Sequence, residues 1–300
     1  MKISIVTPSF NSARYIRETI HSVISQQGDF YIEYFIVDGN STDETKDVVG
    51  KVQGLLADNN YPLGCKGVEL VFISEQDQGM YDAINKGFAH ATGDIFAWLN
   101  ADDIYLPGAL ATIARIFSDF EDVHWLKGIT SYVTEESSIW KAGKCLLYTQ
   151  PWIQSGIYGR EHYFIQQDSV FWRTWLWKQS GGIDVKFKRA GDYCLWIKFA
   201  ELAPLVTIRS WLSCFRTVKG QLSEDIDAYR REANGFSPGK KFIRLKFRLF
   251  HRIEGKLPGF LRATLFRMIF GQPEFSVILI QKDGSLNRIT GNYYEVSSLL

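Results

Sequence analysis

Long apolar runs are missing from this chain of 300 residues. No stretch approaches the roughly eighteen uncharged apolar residues that would span a bilayer. The N-terminus, with Lys2 followed at once by a polar-interrupted strand, lacks a signal-peptide segment, so a cytoplasmic location is expected. Cysteine is scarce: Cys65, Cys145, Cys194 and Cys214 are scattered without a CxxC pair. That spacing suggests neither a zinc site nor a disulfide framework, and the four read as reduced core thiols. Repeats and low-complexity segments are absent too. What is abundant is apolar and aromatic: 46% apolar residues and nine Trp suit one large core or two moderate ones. Aromatic richness also suits surfaces that hold sugar rings or lipid headgroups.

The first hundred residues alternate in period. Residues 3–8 are a short β-branched run stopped by Pro8, and residues 12–26 place Ile16, Ile20, Val23 and Ile24 at helical spacing after Asn11 or Ser12 as N-cap. Ile32 to Val37 is again strand-like and ends in Asp38-Gly39-Asn40; Ser41 and Glu44 have the spacing of a capping box opening a second helix. A strand (Val68 to Ile73), a helix (Tyr81 to His90) and a strand (Ile95 to Leu99) follow. This order predicts a mostly parallel sheet with helices on both faces, an α/β Rossmann-like fold. Beyond residue 107 the pattern is mixed: a helix near 107–118, strand candidates at 123–133, helices through 174–180 and 191–201, and strand-like runs at Ser276–Ile280 and Asn287–Ile289.

Ligands of such sheets sit beyond the carboxyl ends of the strands. Polar residues gather there: Thr7-Pro8-Ser9, then Asp38, then Glu75-Gln76-Asp77, then Asn100-Ala101-Asp102-Asp103. The last group follows an apolar strand, where carboxylates can hold Mg²⁺ or Mn²⁺ completed by substrate phosphates. The same Asp pair equally suits capping the helix that Pro107 and Leu110 help start. Asp38 is placed to accept an imino proton from a nucleotide base, with Phe10 as a stacking face or simply a core aromatic.

These segments, with Gln78-Gly79-Met80-Tyr81-Asp82-Ala83-Ile84-Asn85-Lys86-Gly87 and Ala91-Thr92-Gly93-Asp94, resemble family 2 glycosyltransferases, in particular bacterial enzymes of exopolysaccharide, O-antigen and colanic-acid type, over residues 1 to about 230. The resemblance implies a GT-A fold. It implies a nucleotide-sugar-binding half over 1–105, an acceptor-binding half of the same domain over 106–235, and a basic amphipathic extension over 236–300. Thr7, Pro8, Phe10, Asn11, Asp38, Asp77, Asn85 and Asn100 become the nucleotide-binding candidates, and Asp102 the metal ligand of the D-x-D motif, whose first Asp is here Asn100. Gln167-Asp168 through Arg173, Ser180 to Asp184, and Ala190-Gly191-Asp192-Tyr193-Cys194-Leu195-Trp196 resemble the acceptor half, in which the acid opening the last helix is the general base. Asp192 is therefore the catalytic expectation, with a helix N-cap as its structural alternative and Asp184 or Asp168 next in line. Relatives often read Arg-x-His where this chain has Arg216-Thr217-Val218, which leaves Arg216 or Lys219 to neutralise the leaving group. The Gln-x-x-Arg-Trp signature of processive synthases is missing, which points to addition of a single sugar.

Net charge is +1 but uneven: Lys240 to Gly271 holds nine Lys/Arg against one Glu, a local +8 that leaves −7 for the rest. Its mixture of cations with Phe, Leu and Ile, Phe247 and Phe250 among them, fits an anionic membrane interface better than nucleic acid. A core-packed helix with a solvated basic face is the plainer alternative. The expected partners are a nucleotide sugar, UDP-linked, and a saccharide or polyprenyl-diphosphate-linked saccharide at the inner membrane face. Nucleotidyl transfer, or nucleotide or sugar binding without turnover, are the rival functions.

Overall fold

The computed structural model describes residues 1–236 and 241–300, the side chain of Lys241 excepted. Ser237, Pro238 and Gly239 of the expected extension, and Lys240 of its basic block, lie outside the described residues. The chain runs β1 (Lys2–Ser9), α1 (Ile16–Ile24), β2 (Tyr31–Asp38), α2 (Thr45–Ala57), β3 (Gly67–Ser74), α3 (Met80–His90), β4 (Ile95–Trp98), β5 (Ile104–Tyr105) and α4 (Ala109–Asp119). It continues through β6 (Trp125–Val133), β7 (Ile139–Lys141), α5 (Gln150–Gln154), β8 (Val170–Arg173), α6 (Thr174–Ser180), α7 (Gly191–Leu202), β9 (Leu205–Arg216) and α8 (Ile226–Gly235). The last elements are α9 (Lys241–Ile253), α10 (Gly259–Phe270), β10 (Phe275–Ile280), β11 (Leu286–Gly291) and α11 (Tyr293–Ser297).

One sheet organises them, in the order β11-β10-β9-β6-β8-β4-β1-β2-β3. β1, β2, β3 and β4 are parallel, and β8 runs antiparallel between β4 and β6. β1 is buried from Ile3 to Ser9 because helices cover both of its faces. Ile3 and Ile5 on one face meet Ile16, Ile20 and Ile113; Val6 on the other joins Phe88, Trp98 and Trp196. Four Trp side chains fill that second face, with Trp196 5.8–6.1 Å from Trp98, Trp125 and Trp172. Much of the aromatic excess is thus core. Helix α3 lies close on the sheet because Gly87 has no side chain: a Cβ there would stand 2.5 Å from a Val6 methyl.

The structure corrects the expected division of the chain. Residues 275–300 are not an appended extension, since β10 pairs in parallel with β9 and carries β11 onto the sheet edge. β5, just before the 105/106 boundary, pairs with β9, so the two expected halves share one sheet. Helix α9 is anchored by Phe247 and Phe250, both 3% exposed and packed among Trp152, Phe266 and Phe270. Neither side chain is free to meet lipid. The expected caps shift as well. Glu44 is the N-cap of α2 without a side-chain bond, while the Ser41 hydroxyl turns to Asp38; α1 starts after Tyr15, on the Ser12 carbonyl.

Candidate active site

Beyond the carboxyl ends of β1 to β4 opens a cleft of about 1180 Å³, lined by residues from both sequence halves and closed on one side by the loop 218–223. Among its described lining residues are three carboxylates, Asp77, Asp102 and Asp192, and three cations, Lys188, Arg189 and Lys219.

The first wall comes from β1. Pro8, one residue before the end of the strand, lines the cleft, and Phe10, 64% exposed, stands on the rim. Asn11 turns the chain with φ 48°, and its side-chain oxygen accepts from the Thr42 N–H at 2.9 Å, which ties the Phe10 loop to the loop after β2. Asp77 lines the cleft and accepts from the Gly79 N–H at 2.8 Å, fixing the turn into α3.

Four expected site residues do not line this cleft. Thr7 is fully buried and meets the Tyr34 hydroxyl at 2.9 Å, because successive side chains of a strand point to opposite faces. Asp38 is 0% exposed, and its carboxylate is taken up by the Ser41 N–H, the Ser41 hydroxyl and the Ser74 hydroxyl. Ser41 in turn accepts from the Asn11 N–H at 2.7 Å. Asp38 therefore positions the Phe10–Asn11 loop instead of facing a ligand. Asn85 spends its amide on Ile183, donating at 2.7 Å and accepting at 3.1 Å, and pins α3 to the loop after α6. Arg216 is 0% exposed; its guanidinium donates to the carbonyls of Asp102, Thr134 and Glu135, to the Ser137 hydroxyl, and to Glu18 at 2.6 Å. Fully buried behind Asp102, the guanidinium presents no surface to a leaving group in the cleft. Lys219, by contrast, is exposed on the cleft.

For Asp38→Ala the expected outcome is a loss of about 1–3 kcal/mol in urea unfolding, because two hydroxyls and an N–H lose a buried acceptor. Weaker UDP binding should accompany it through the displaced loop. A large loss of UDP affinity at unchanged stability would instead make Asp38 a direct contact.

The strand-end acids separate into two roles. Asp102 lines the cleft and accepts from Gln221 Nε2 at 2.7 Å, whereas Asp103 is buried behind it and accepts from the Arg216 N–H at 2.9 Å. Neither caps α4, whose N-cap is Gly108. Burial raises the Asp102 pKa, opposed by the Gln221 bond and the Arg216 charge. Beside it the Asn100 side-chain oxygen is buried with no hydrogen-bond partner. One carboxylate and one amide oxygen suit a hard cation whose other ligands come from phosphates and water. Among the described residues no group of three or more His, Cys, Asp or Glu could hold a metal on its own. Gln221 is a residue that sequence reasoning missed: it bridges Asp102 to the Arg216 carbonyl and accepts from the Val218 N–H.

Asp192 sits in the first turn of α7, one residue past the helix start, with Ala190 as the N-cap. It accepts from the Tyr229 hydroxyl at 3.1 Å and lines the cleft. Burial pushes its pKa up to about 7, only partly offset by the Tyr193 N–H and the Tyr229 hydroxyl. The turn before α7 is shaped by Glu232, whose carboxylate accepts from the N–H groups of Lys188, Arg189 and Ala190 at 2.5–2.7 Å. Tyr81 completes the support, donating to the Arg189 carbonyl and accepting from the Gly191 N–H. Sequence reasoning missed Tyr229 and Glu232; their spacing of three on α8, which puts both on one helix face, is the only signal the sequence carries. The two reserve bases drop out of the cleft: Asp168 is fully buried against the Ser213 hydroxyl, and Asp184 pairs with Lys186 at 2.6 Å.

The Glycosyl transferase family 2 profile matches residues 4–178. The chain is 38% identical over 117 residues to an uncharacterized glycosyltransferase of Nostoc sp., covering 39% of this chain and 33% of that relative. Among solved structures it resembles Staphylococcus aureus TarS 1–349 in complex with UDP-GlcNAc, with a TM-score of 0.54, 17% identity, and coverage of 75% and 61% of the two chains. It also resembles the mannosyltransferase PcManGT of Pyrobaculum calidifontis in complex with GDP-Man and Mn²⁺, at a TM-score of 0.53, 17% identity, and coverage of 89% and 69%. The chain thus spans about one third of the Nostoc relative and about three fifths of the TarS fragment.

Proposed function

The chain belongs to glycosyl transferase family 2, and from that premise we propose that it is an inverting, non-processive glycosyltransferase. It moves one sugar from a nucleotide diphosphate sugar, UDP-linked, to a saccharide or lipid-linked saccharide acceptor in surface polysaccharide assembly. The observation that carries the reading is Asp192: a carboxylate on the cleft, oriented by Tyr229, with its pKa raised to about 7. A base with that pKa is half ionised near neutral pH and still basic enough to take a hydroxyl proton.

In this reading Pro8 and Phe10 border the nucleotide base, and Asp77 lies toward the ribose or sugar. The acceptor hydroxyl oxygen attacks the anomeric carbon as its proton passes to Asp192. The bond from that carbon to the diphosphate breaks, and the nucleoside diphosphate leaves with the electron pair. One carboxylate suffices for such a displacement; a covalent route would need a second as nucleophile. Lys188, Arg189 and Lys219, all on the cleft, offset the charge that develops on the leaving group. Asp102, with the Asn100 amide oxygen beside it, would hold Mg²⁺ or Mn²⁺, which when bound neutralises the diphosphate.

The ligands of the two similar structures, UDP-GlcNAc and GDP-Man, define the first donors to assay. Incubation of UDP- and GDP-sugars with and without Mn²⁺ should release free sugar and nucleoside diphosphate slowly without acceptor. Pyrophosphate release would mark a nucleotidyltransferase instead, and binding without turnover a silent module.

A further inference from the structure

We infer that α9 and α10 form a docking face for an anionic lipid surface. With about 100° of turn per residue, Phe242, Leu245, Leu249 and Ile253 fall within an arc of about 80° on α9, separate from the arc of Phe247 and Phe250 that enters the core. The outer four are 43–68% exposed. Helix α10 repeats the arrangement: Phe266 is buried while Phe260 and Met268 are 72% and 78% exposed. An amphipathic helix with one apolar face in the core has no folding reason to carry a second one in water.

Charge selects the occupant. Arg252, Lys256 and Arg267 are exposed beside these side chains and make no ion pair among the described residues, whereas Arg248 is neutralised by Glu161 at 2.7 Å. A second copy meeting this face symmetrically would set one basic surface against another. An anionic lipid surface matches both features: headgroups take the cations, and the Phe, Leu, Ile and Met side chains enter the acyl boundary.

The face also has a route to the cleft. On its inner side α9 grips the segment around residues 158–166, through the Arg248–Glu161 pair and Phe247, whose ring lies 5.3 Å from that of His162. Phe164 and Gln166 of the same segment line the cleft. Docking would thus hold the cleft close to a lipid-borne acceptor. Only this last point rests on the proposed glycosyl transfer; lipid binding needs no donor and no turnover.

The test is cosedimentation of the full chain with vesicles of phosphatidylcholine, with and without phosphatidylglycerol, at low and high salt. The intact protein should bind the anionic vesicles and keep part of that binding at high salt. Leu245→Ser with Leu249→Ser should weaken it by about 10-fold per side chain, the partitioning lost with each leucine. Circular dichroism and donor hydrolysis without lipid should be unchanged in that variant, since both residues are exposed and outside the cleft. Failure of the intact protein to bind anionic vesicles at low salt would overturn the inference. So would binding that salt abolishes and the double substitution leaves intact, which marks a charge-only polyanion site. A solution dimer that the double substitution converts to monomer would give the face to a second copy and overturn it equally.

Discussion

Asp192→Asn should lower turnover about 10²–10⁴-fold at saturating donor and acceptor while leaving the UDP dissociation constant, measured by calorimetry, unchanged. The amide keeps the size of the side chain and can still meet the Tyr229 hydroxyl, so the loss is that of a proton acceptor. The pH dependence carries the same signature. Because the folded pKa is raised to about 7, turnover of the unaltered protein should climb with pH along a single-proton limb centred near that value and level off above it. Stability should move the other way. A carboxylate whose pKa rises from 3.8 on folding favours the folded state fully below about pH 4, and that advantage is lost as pH rises through about 7. Asp192→Asn should therefore raise the melting temperature relative to the unaltered chain at pH 8 but not at pH 4. Near-normal turnover with saturating acceptor would reduce Asp192 to a structural acid of the first turn of α7.

Asp102→Ala should remove the dependence of UDP binding on Mn²⁺. Asp103 cannot substitute, being buried and committed to the Arg216 N–H, and Asn100 offers only a neutral oxygen. With one carboxylate on that part of the cleft, its removal should cost about 10–100-fold in Mn²⁺-supported UDP affinity, the scale of a lost charge-assisted contact. Binding without metal should change little. Calorimetry at fixed UDP with and without Mn²⁺ reads both quantities, and an unchanged Mn²⁺ effect in the variant would take Asp102 out of the metal site. Freed from Asp102, Gln221 would keep its bond to the Arg216 carbonyl, so the loop 218–223 should stay closed.

The first hundred residues were legible because their signals are local. Strand and helix periods and the polar residues after each strand all appear within a few positions of one another. What the sequence could not say is which way each polar side chain faces. Thr7 and Pro8 are neighbours in one motif, yet Thr7 meets Tyr34 inside the sheet while Pro8 borders the cleft. Arg216 looked free because its five acceptors come from residues 18, 102, 134, 135 and 137, which only the folded sheet gathers. The strands β10 and β11 were visible as strands, but their place was not: β10 pairs with residues of β9 seventy positions upstream. In the basic block, composition announced an amphipathic helix without revealing that it has two apolar faces, one for Trp152 and one outward. Tyr229 and Glu232 belong to no motif, and they reach Asp192 and its turn only because α8 packs beside α7.

The central claim is that a single carboxylate on this cleft, Asp192, drives transfer in one displacement. Proton NMR of the sugar product, followed from the start of the reaction with an α-linked nucleotide sugar, tests it most directly. The account predicts a β-configured product at the anomeric carbon, formed in the intact chain and nearly lost in Asp192→Asn. An α-configured product, or one formed equally well by that variant, would contradict it.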